Sequence, residues 1–383
     1  MRILHTADWH LGKMFYGEYV TEDQSCILSE QLLPMVRDEG IDAVVLAGDV
    51  YDRSLPPSEA VELFDEIATK LTCDLKVPLL VISGNHDSAV RLSFASRLLR
   101  QQQLFIAGEL TKLTGPIVLE DAFGPVAFVP VPFAEPAVVR HFLGNEEIKD
   151  HQTALECLCR VQSQNLPEGM RTVCIAHAFV TGGSISDSER PLSVGGSSCV
   201  DASIFKPFSY TALGHLHGPQ QAGRPEVRYA GSLMKYSFSE AQQQKGAVLV
   251  DLQEDGQVAV NLLPFIPKHD VRIIEGSFDT IMKATDDHED DFVLIRLSDA
   301  EPILDGMAKV RRKYPRALAL ETPNRQYEGR NERDFDVRNT TERQLFASFT
   351  EAMRPEHPLS EAETACANGL WEQLIKDEGE GLL

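Results

Sequence analysis

LLVISGNHD, residues 79–87, is an apolar run that halts at a glycine and then presents an asparagine, a histidine and an aspartate in succession. A short continuous run of Leu, Val and Ile bounded by turn residues reads as a buried strand. The same grammar recurs on either side. Arg2–His5, Ala43–Ala47, Val126–Val131, Val173–Ala176 and Tyr210–Leu213 are apolar runs that end in polar residues. Between the early ones lie helical patterns. Residues Ser25–Glu39 place Ile27, Leu28, Leu32, Leu33, Met35 and Val36 on one face. Residues Ser58–Leu71 repeat this with Val61, Leu63, Phe64, Ile67, Ala68 and Leu71, after Pro57, whose missing N–H is harmless before a helix. Alternating strands and helices predict an α/β fold. In an open sheet of that kind, ligands gather beyond the carboxyl ends of the strands.

Five polar clusters stand at those ends: Asp8-Trp9-His10, Gly48-Asp49, Gly84-Asn85-His86-Asp87, His177, and Gly214-His215-Leu216-His217. Residues two apart in extended chain point the same way, so Asp8 and His10 share a face, as do His215 and His217. Glycines 48, 84 and 214 permit tight turns and close backbone approach. A lone histidine after a strand is usually a hydrogen-bonded residue, and a lone Gly-Asp is a turn. Taken together, the clusters supply two aspartates, three or four histidines and an asparagine amide. That donor set, with no thiolate, suits Mn, Fe or Zn in a catalytic site more than structural zinc. It is too large for one ion and right for two, roughly 3.5–4 Å apart, sharing a carboxylate. Such a pair can activate a shared water and offset charge on a phosphate oxygen.

The 383 residues are 43% apolar and 25% charged, enough for one large domain with one or two smaller ones. The opening MRILHTADWH lacks the apolar run of a signal peptide, and no stretch approaches a membrane span. A cytoplasmic protein with no membrane partner is expected. Seven scattered cysteines (26, 73, 157, 159, 174, 199 and 366) repeat no spacing and read as reduced thiols. The net charge of -22 by itself argues against nucleic-acid binding. Any such role must rest on a local site, bound cations or a basic partner.

Gly246–Leu252 and Val258–Leu263 read as later strands, suggesting a second, more antiparallel sheet. Composition shifts near Pro264–Pro267. We divide the chain into a large domain over 1–265, a small α+β domain over 266–322, a polar linker over 323–340 and C-terminal helices over 341–383. The small domain has strands at Val271–Ile274, Phe292–Leu297 and Ala317–Leu320, a helix at Ile303–Tyr314, and an acidic, solvated loop at Asp286–Asp291. Near the end, Ser360 and Glu363 form a capping box before the stripe Ala367, Leu370, Trp371 and Leu374. These helices either fold back or dock on a partner. The Gly- and Ser-rich loop Thr181–Ser198 could approach a phosphate chain or be a plain mobile loop.

The ordered set D-x-H, GD, GNHD, H, GH-x-H is similar to the signature of the calcineurin-like metallophosphoesterases. MRILHTADWHLGK, LAGDVYDRSLPPSEA, SGNHDS, LGHLH and YAGSLMKYSFSE further resemble the SbcD nuclease-subunit family, most densely through about residue 240. The resemblance implies a calcineurin-like β-sandwich flanked by helices, with the small domain as a cap. It implies Asp8, His10, Asp49 and His217 around one ion. Around the other it implies Asp49, Asn85, His177 and His215, with Asp49 bridging. It implies His86 near the scissile phosphate, with Asp87 orienting it. Some relatives carry a second catalytic histidine where this chain has Asp52. The family implies a nuclease that degrades double-stranded DNA ends, opens hairpins and favours manganese. Its implied partner is an SbcC-type coiled-coil ATPase docked on residues 341–375, which also eases the charge conflict. The family further implies a homodimer within a heterotetramer, through the segment holding Leu92, Phe94, Ala95, Leu98 and Leu99, residues that packing within the chain explains equally well. A small-molecule or nucleotide phosphodiesterase on the same core, and a non-enzymatic scaffold, are the alternatives.

Overall fold

The computed structural model describes residues 1–189, 199–299, 301, 303–322, 346, 349, 350, 360 and 362–370. By its contacts the chain divides into two compact units, Met1–Asn324 and Arg325–Leu383.

The first unit is built on two six-stranded sheets. In one, the strands run Val258–Pro264, Gly246–Leu252, Arg2–Thr6, Ala43–Ala47, Leu79–Ile82, Leu104–Ala107. The last four are mutually parallel, as fully apolar runs connected through helices require. In the other sheet the order is Gln220–Ala222, Arg224–Tyr229, Tyr210–Gly214, Arg171–His177, Gly124–Val131, Ile117–Asp121, with four parallel strands at its centre. The sheets share a dry core in which Ile3, Val45, Leu80 and Ile82 meet Val126, Phe128, Val173, Ile175 and Ala212. Each such side chain, taken fully out of water, contributes roughly 1.5–3 kcal/mol. The outer face of the first sheet is covered by the helices at Thr21–Asp38 and Ser58–Thr69, through Ile27, Leu28, Leu32, Leu63 and Ile67. His151–Ser163 covers the outer face of the second. The fold is therefore an α/β sandwich flanked by helices.

Three expectations about secondary structure need correction. Gly246–Leu252 and Val258–Pro264 do not found the second sheet. They extend the first one antiparallel, with Gly246–Leu252 pairing along Arg2–His5. Alternation within a strand says nothing about which edge it will find. The helix expected at Ser25–Glu39 begins earlier, at Thr21, and passes through a π-turn at Leu28–Leu32. The helix expected over Ile303–Tyr314 is only Gly306–Val310.

Residues Val271–Gly276, Phe292–Leu297 and Ala317–Glu321 form a separate parallel three-stranded sheet. Period-two alternation splits its middle strand between two cores. Val293, Ile295 and Leu297 pack with Ile281, Val310 and Tyr314, while Phe292 and Leu294 join Trp9, Phe15 and Phe238. The acidic run at Asp286–Asp291 is not simply solvated. Asp291 is buried, and Arg272 binds both Asp291 (2.6 Å) and Asp286 (3.0 Å). All seven cysteines are free.

In the second unit, residues 362–370 are helical and open on the expected capping box. The Glu363 N–H donates to Ser360 Oγ (3.3 Å), and the Ser360 N–H donates to Glu363 Oε2 (2.9 Å). The linker 323–340, most of the first C-terminal helix, residues 371–383 and the loop part 190–198 lie outside the described residues. Among the described residues, no helix is long and apolar enough to cross a membrane.

Candidate metal centre

The rims of the two sheets close on each other at the carboxyl ends of their central strands, and glycine makes this possible. A Cβ on Gly214 would lie 1.9 Å from the Ala47 carbonyl oxygen, and one on Gly48 would lie 2.4 Å from His177 Nδ1. A Cβ on Gly84 would lie 2.1 Å from Asp49 Oδ1. Hydrogen bonds then tie the rims. His177 Nδ1 meets the Ala47 carbonyl at 3.0 Å, and the His215 N–H donates to Asp8 at 3.0 Å. Asp8, His10, Asp49 and His215 all hold positive φ (51°, 46°, 49° and 106°). Non-glycine residues adopt that region rarely and at a cost of about 1–3 kcal/mol each, and they cluster at functional sites.

All five sequence clusters converge here. Ligand atoms of Asp8, His10 and His217 lie within 4.8 Å of one another, as do those of His10, Asp49 and His86, and those of Asp8, Asp49 and His177. His177 Nε2 is 2.8 Å from Asn85 Oδ1 and 3.5 Å from Asp49 Oδ2. His215 lies beside His177, with ring centroids 5.4 Å apart. Asp8, His10, Asp49, His177, His215 and His217 are all buried. His86, also buried, stands 3.9 Å by Nε2 from Asp49 Oδ2, and its N–H donates to Asp49 Oδ1 (2.8 Å).

Asp87 has a different place from the one expected. Its carboxylate accepts N–H bonds from Val50 (3.1 Å), Tyr51 (3.0 Å) and Gly84 (2.9 Å), clamping the 49–51 turn to the 84–87 turn. The partner that the structure places on the far nitrogen of His86 is the Asp52 carbonyl, 2.8 Å from Nδ1. With Nδ1–H assigned to that acceptor, Nε2 faces the centre. The Asp52 carboxylate pairs with Lys13 at 2.8 Å and lies 3.7 Å from His10 Nδ1.

Burial sets the protonation of the cluster. Burial, reinforced by Asp49, holds Asp8 well above the usual carboxylate range. Burial pushes His10 and His215 well down, and His177 down to about 4. Burial is the main cause of each shift and disfavours charge of either sign, so the imidazoles here stay neutral with a lone pair free to donate. His10 Nδ1 is buried without a hydrogen-bond partner, and His10 Nε2 faces His217 Nε2 at 3.1 Å. Neutral imidazoles and hard carboxylates converging on one centre fit divalent cations.

Residues 1–129 match the calcineurin-like phosphoesterase family. Residues 267–354 match the family described as the type 5 capsule protein repressor C-terminal domain. The chain is 33% identical, over 99% of its length and 100% of the relative's, to the SbcD component of the SbcCD nuclease of Staphylococcus epidermidis. The chain belongs to the SbcD family of nuclease subunits. Among solved structures, Plasmodium GAP50 aligns at 13% identity and TM-score 0.40, covering 70% of this chain and 89% of that one. A Danio rerio dimetal phosphatase aligns at 11% identity and TM-score 0.39, covering 68% and 98%.

In this SbcD-family chain, further side chains support the centre from behind. YAGSLMKYSFSE folds behind the centre. Tyr236 packs its ring near His10 and His217, and Gln24 Nε2 donates to the His10 carbonyl (2.9 Å) and to Tyr236 Oη (2.8 Å). Buried Lys245 donates to the His217 carbonyl (2.6 Å) and to Glu240 (2.6 Å). Lys245 follows three glutamines and Glu240 stands between a serine and an alanine, so nothing beside them in the chain marks either as buried. His5, one residue before Thr6 in the first strand, is no part of the cluster. It bonds Tyr210 and the Leu213 carbonyl, and burial lowers it to about 3.

Proposed function

We propose that the chain is a manganese-dependent DNA nuclease that hydrolyses phosphodiester bonds, as a double-strand exonuclease and a hairpin or single-strand endonuclease. The carrying observation is Asp49, whose Oδ2 lies 3.7 Å from His10 Nε2 and 3.5 Å from His177 Nε2 at a rim where five strand ends meet. Asp8, His10, Asp49 and His217 would hold one ion, and Asp49, Asn85, His177 and His215 the other. When bound, the pair supplies Lewis-acid charge and an activated water. His86, aimed by the Asp52 carbonyl, serves as the group facing the scissile phosphate. Asp87 keeps the two ligand turns in register. The nuclease domain spans 1–265 and the capping domain 266–322. Lys13, Tyr16, Tyr236 and Ser239 from the first, with Arg296 from the second, line a cleft of about 510 Å³ beside the centre.

The name of the Staphylococcus relative, a component of SbcCD, supports an SbcC-type ATPase as partner. We place its docking on residues 341–383, beyond the linker 323–340, and place the complex in the cytoplasm. Phe94 and Leu98, 80% and 72% exposed beside Val90, support a homodimer within a heterotetramer. Purified chain with Mn²⁺ and the partner ATPase should cleave double-stranded ends or hairpins. Metal bound with no cleavage by the reconstituted complex would rule the reading out. Fast turnover of nucleotides, undiminished without residues 341–383, would instead favour a small-molecule phosphodiesterase.

A further inference from the structure

We propose that Glu240 and Ser188 are positioning residues for His217, forming a proton-ordered relay that turns its Nε2 lone pair toward the metal pair. The proposal rests on the two-metal reading of the site.

The relay follows from the direction of its hydrogen bonds. Ser188 Oγ donates to Glu240 Oε1, so its single hydroxyl proton is committed. His217 Nδ1 lies 2.6 Å from the same Ser188 Oγ and must donate to it. Nδ1 therefore carries the proton and Nε2 carries the lone pair. The main chain of His217 is held as firmly. Its N–H donates to Glu189 Oε1 (2.7 Å), and its carbonyl accepts from Lys245 (2.6 Å) and from the Ser232 N–H (3.0 Å).

Glu240 is fully buried and richly supplied with donors. It accepts from Ser237 Oγ (3.0 Å), Ser186 Oγ (3.3 Å), the Tyr236 N–H (3.2 Å) and Lys245 (2.6 Å). A buried carboxylate and ammonium are costly unless each satisfies the other and its neighbours. A pair retained directly behind a ligand suits the orienting of that ligand. Ser186 and Ser188 bond this carboxylate while Ser188 and Glu189 bond His217, so this loop and the metal centre share one set of hydrogen bonds. Metal-bound histidines commonly owe their tautomer to a carboxylate on the far nitrogen, and losing that partner weakens metal binding roughly 10–100-fold.

The test uses the full chain as wild type, Glu240→Gln, Ser188→Ala and Ser188→Thr. Mn²⁺ uptake is followed by calorimetry, and the His217 tautomer by ¹⁵N NMR of the metal-free protein, assigned against His217→Gln. Glu240→Gln and Ser188→Ala are expected to weaken one of the two ions roughly 10–100-fold and to mix the tautomers. Ser188→Thr, which keeps the hydroxyl, should retain both. If Glu240→Gln fails to fold, the half-buried Ser188 decides alone. Wild-type affinity for both ions in Ser188→Ala, or a proton on Nε2 of His217, overturns the relay. A wild-type chain that binds no pair of ions overturns the two-metal reading and the relay together.

Discussion

His177 Nε2, at the end of a strand in one sheet, stands 3.5 Å from Asp49 Oδ2, in the turn after a strand of the other. The two residues are far apart in sequence and touch only because the sheets converge at this rim. Their approach is what turns two lists of polar residues into one site.

That approach depends on glycine. In Gly214→Ala the new Cβ would meet the Ala47 carbonyl at 1.9 Å and His177 Nδ1 at 2.9 Å. The first is backbone of the opposite sheet and cannot swing aside. The variant should lose roughly 1–3 kcal/mol or more in urea unfolding, with metal uptake lost in parallel. Unchanged stability would mean the sheets are not apposed this closely.

His86 is assigned to chemistry and not to coordination. His86→Ala should keep both ions by elemental analysis while losing roughly 10²–10⁴-fold in turnover. Loss of an ion in that variant would move His86 into the ligand set.

Metal binding should release protons from carboxylates rather than from imidazoles. Burial and then the Asp49 charge raise Asp8, and the same two causes put Asp87 at about 7. An acid with a raised folded value holds its proton in the metal-free fold until pH exceeds that value. The buried histidines run the other way: His177, lowered to about 4, is already neutral above it. Metal affinity, and the stabilisation it adds, should therefore grow as pH rises from about 5.5 to about 7.5. Calorimetry in buffers of different ionisation enthalpy reads this directly. A gain in melting temperature from Mn²⁺ that shrinks over that range contradicts it.

Away from the site, Arg171 grips Asp121 through two bonds of 2.9 and 2.6 Å, both side chains being buried. This bond chiefly holds Asp121 below the usual carboxylate range. A depressed acid contributes stability above its unfolded value, near 3.9, and loses it as pH falls further. Asp121 also meets the Met1 ammonium at 2.7 Å, so Arg171→Met should cost roughly 1–3 kcal/mol at neutral pH. The deficit against wild type should narrow in acid, as measured by denaturant unfolding across pH.

The exposed pair Phe94 and Leu98 makes a prediction about assembly. Phe94→Asp with Leu98→Asp should convert a dimer to a monomer by light scattering, leaving metal content intact. Wild-type chain that is monomeric at high concentration would remove the proposed dimer surface.

Much of this protein was legible locally. The strands Ala43–Ala47, Gly246–Leu252 and Phe292–Leu297 follow from apolar runs cut off by turn residues. The capping box at Ser360 and the ligand candidates at strand ends were read the same way. These features depend on residues close in sequence, where side-chain period and turn chemistry act without help. Tertiary structure alone decided that Gly246–Leu252 extends the first sheet, that Asp52 rather than Asp87 meets His86 Nδ1, and that Ser188, Glu240 and Lys245 stand behind His217. Strand pairing, and the partner of a buried charge, are settled by which surfaces close on each other once the core excludes water. No spacing along the chain encodes that choice.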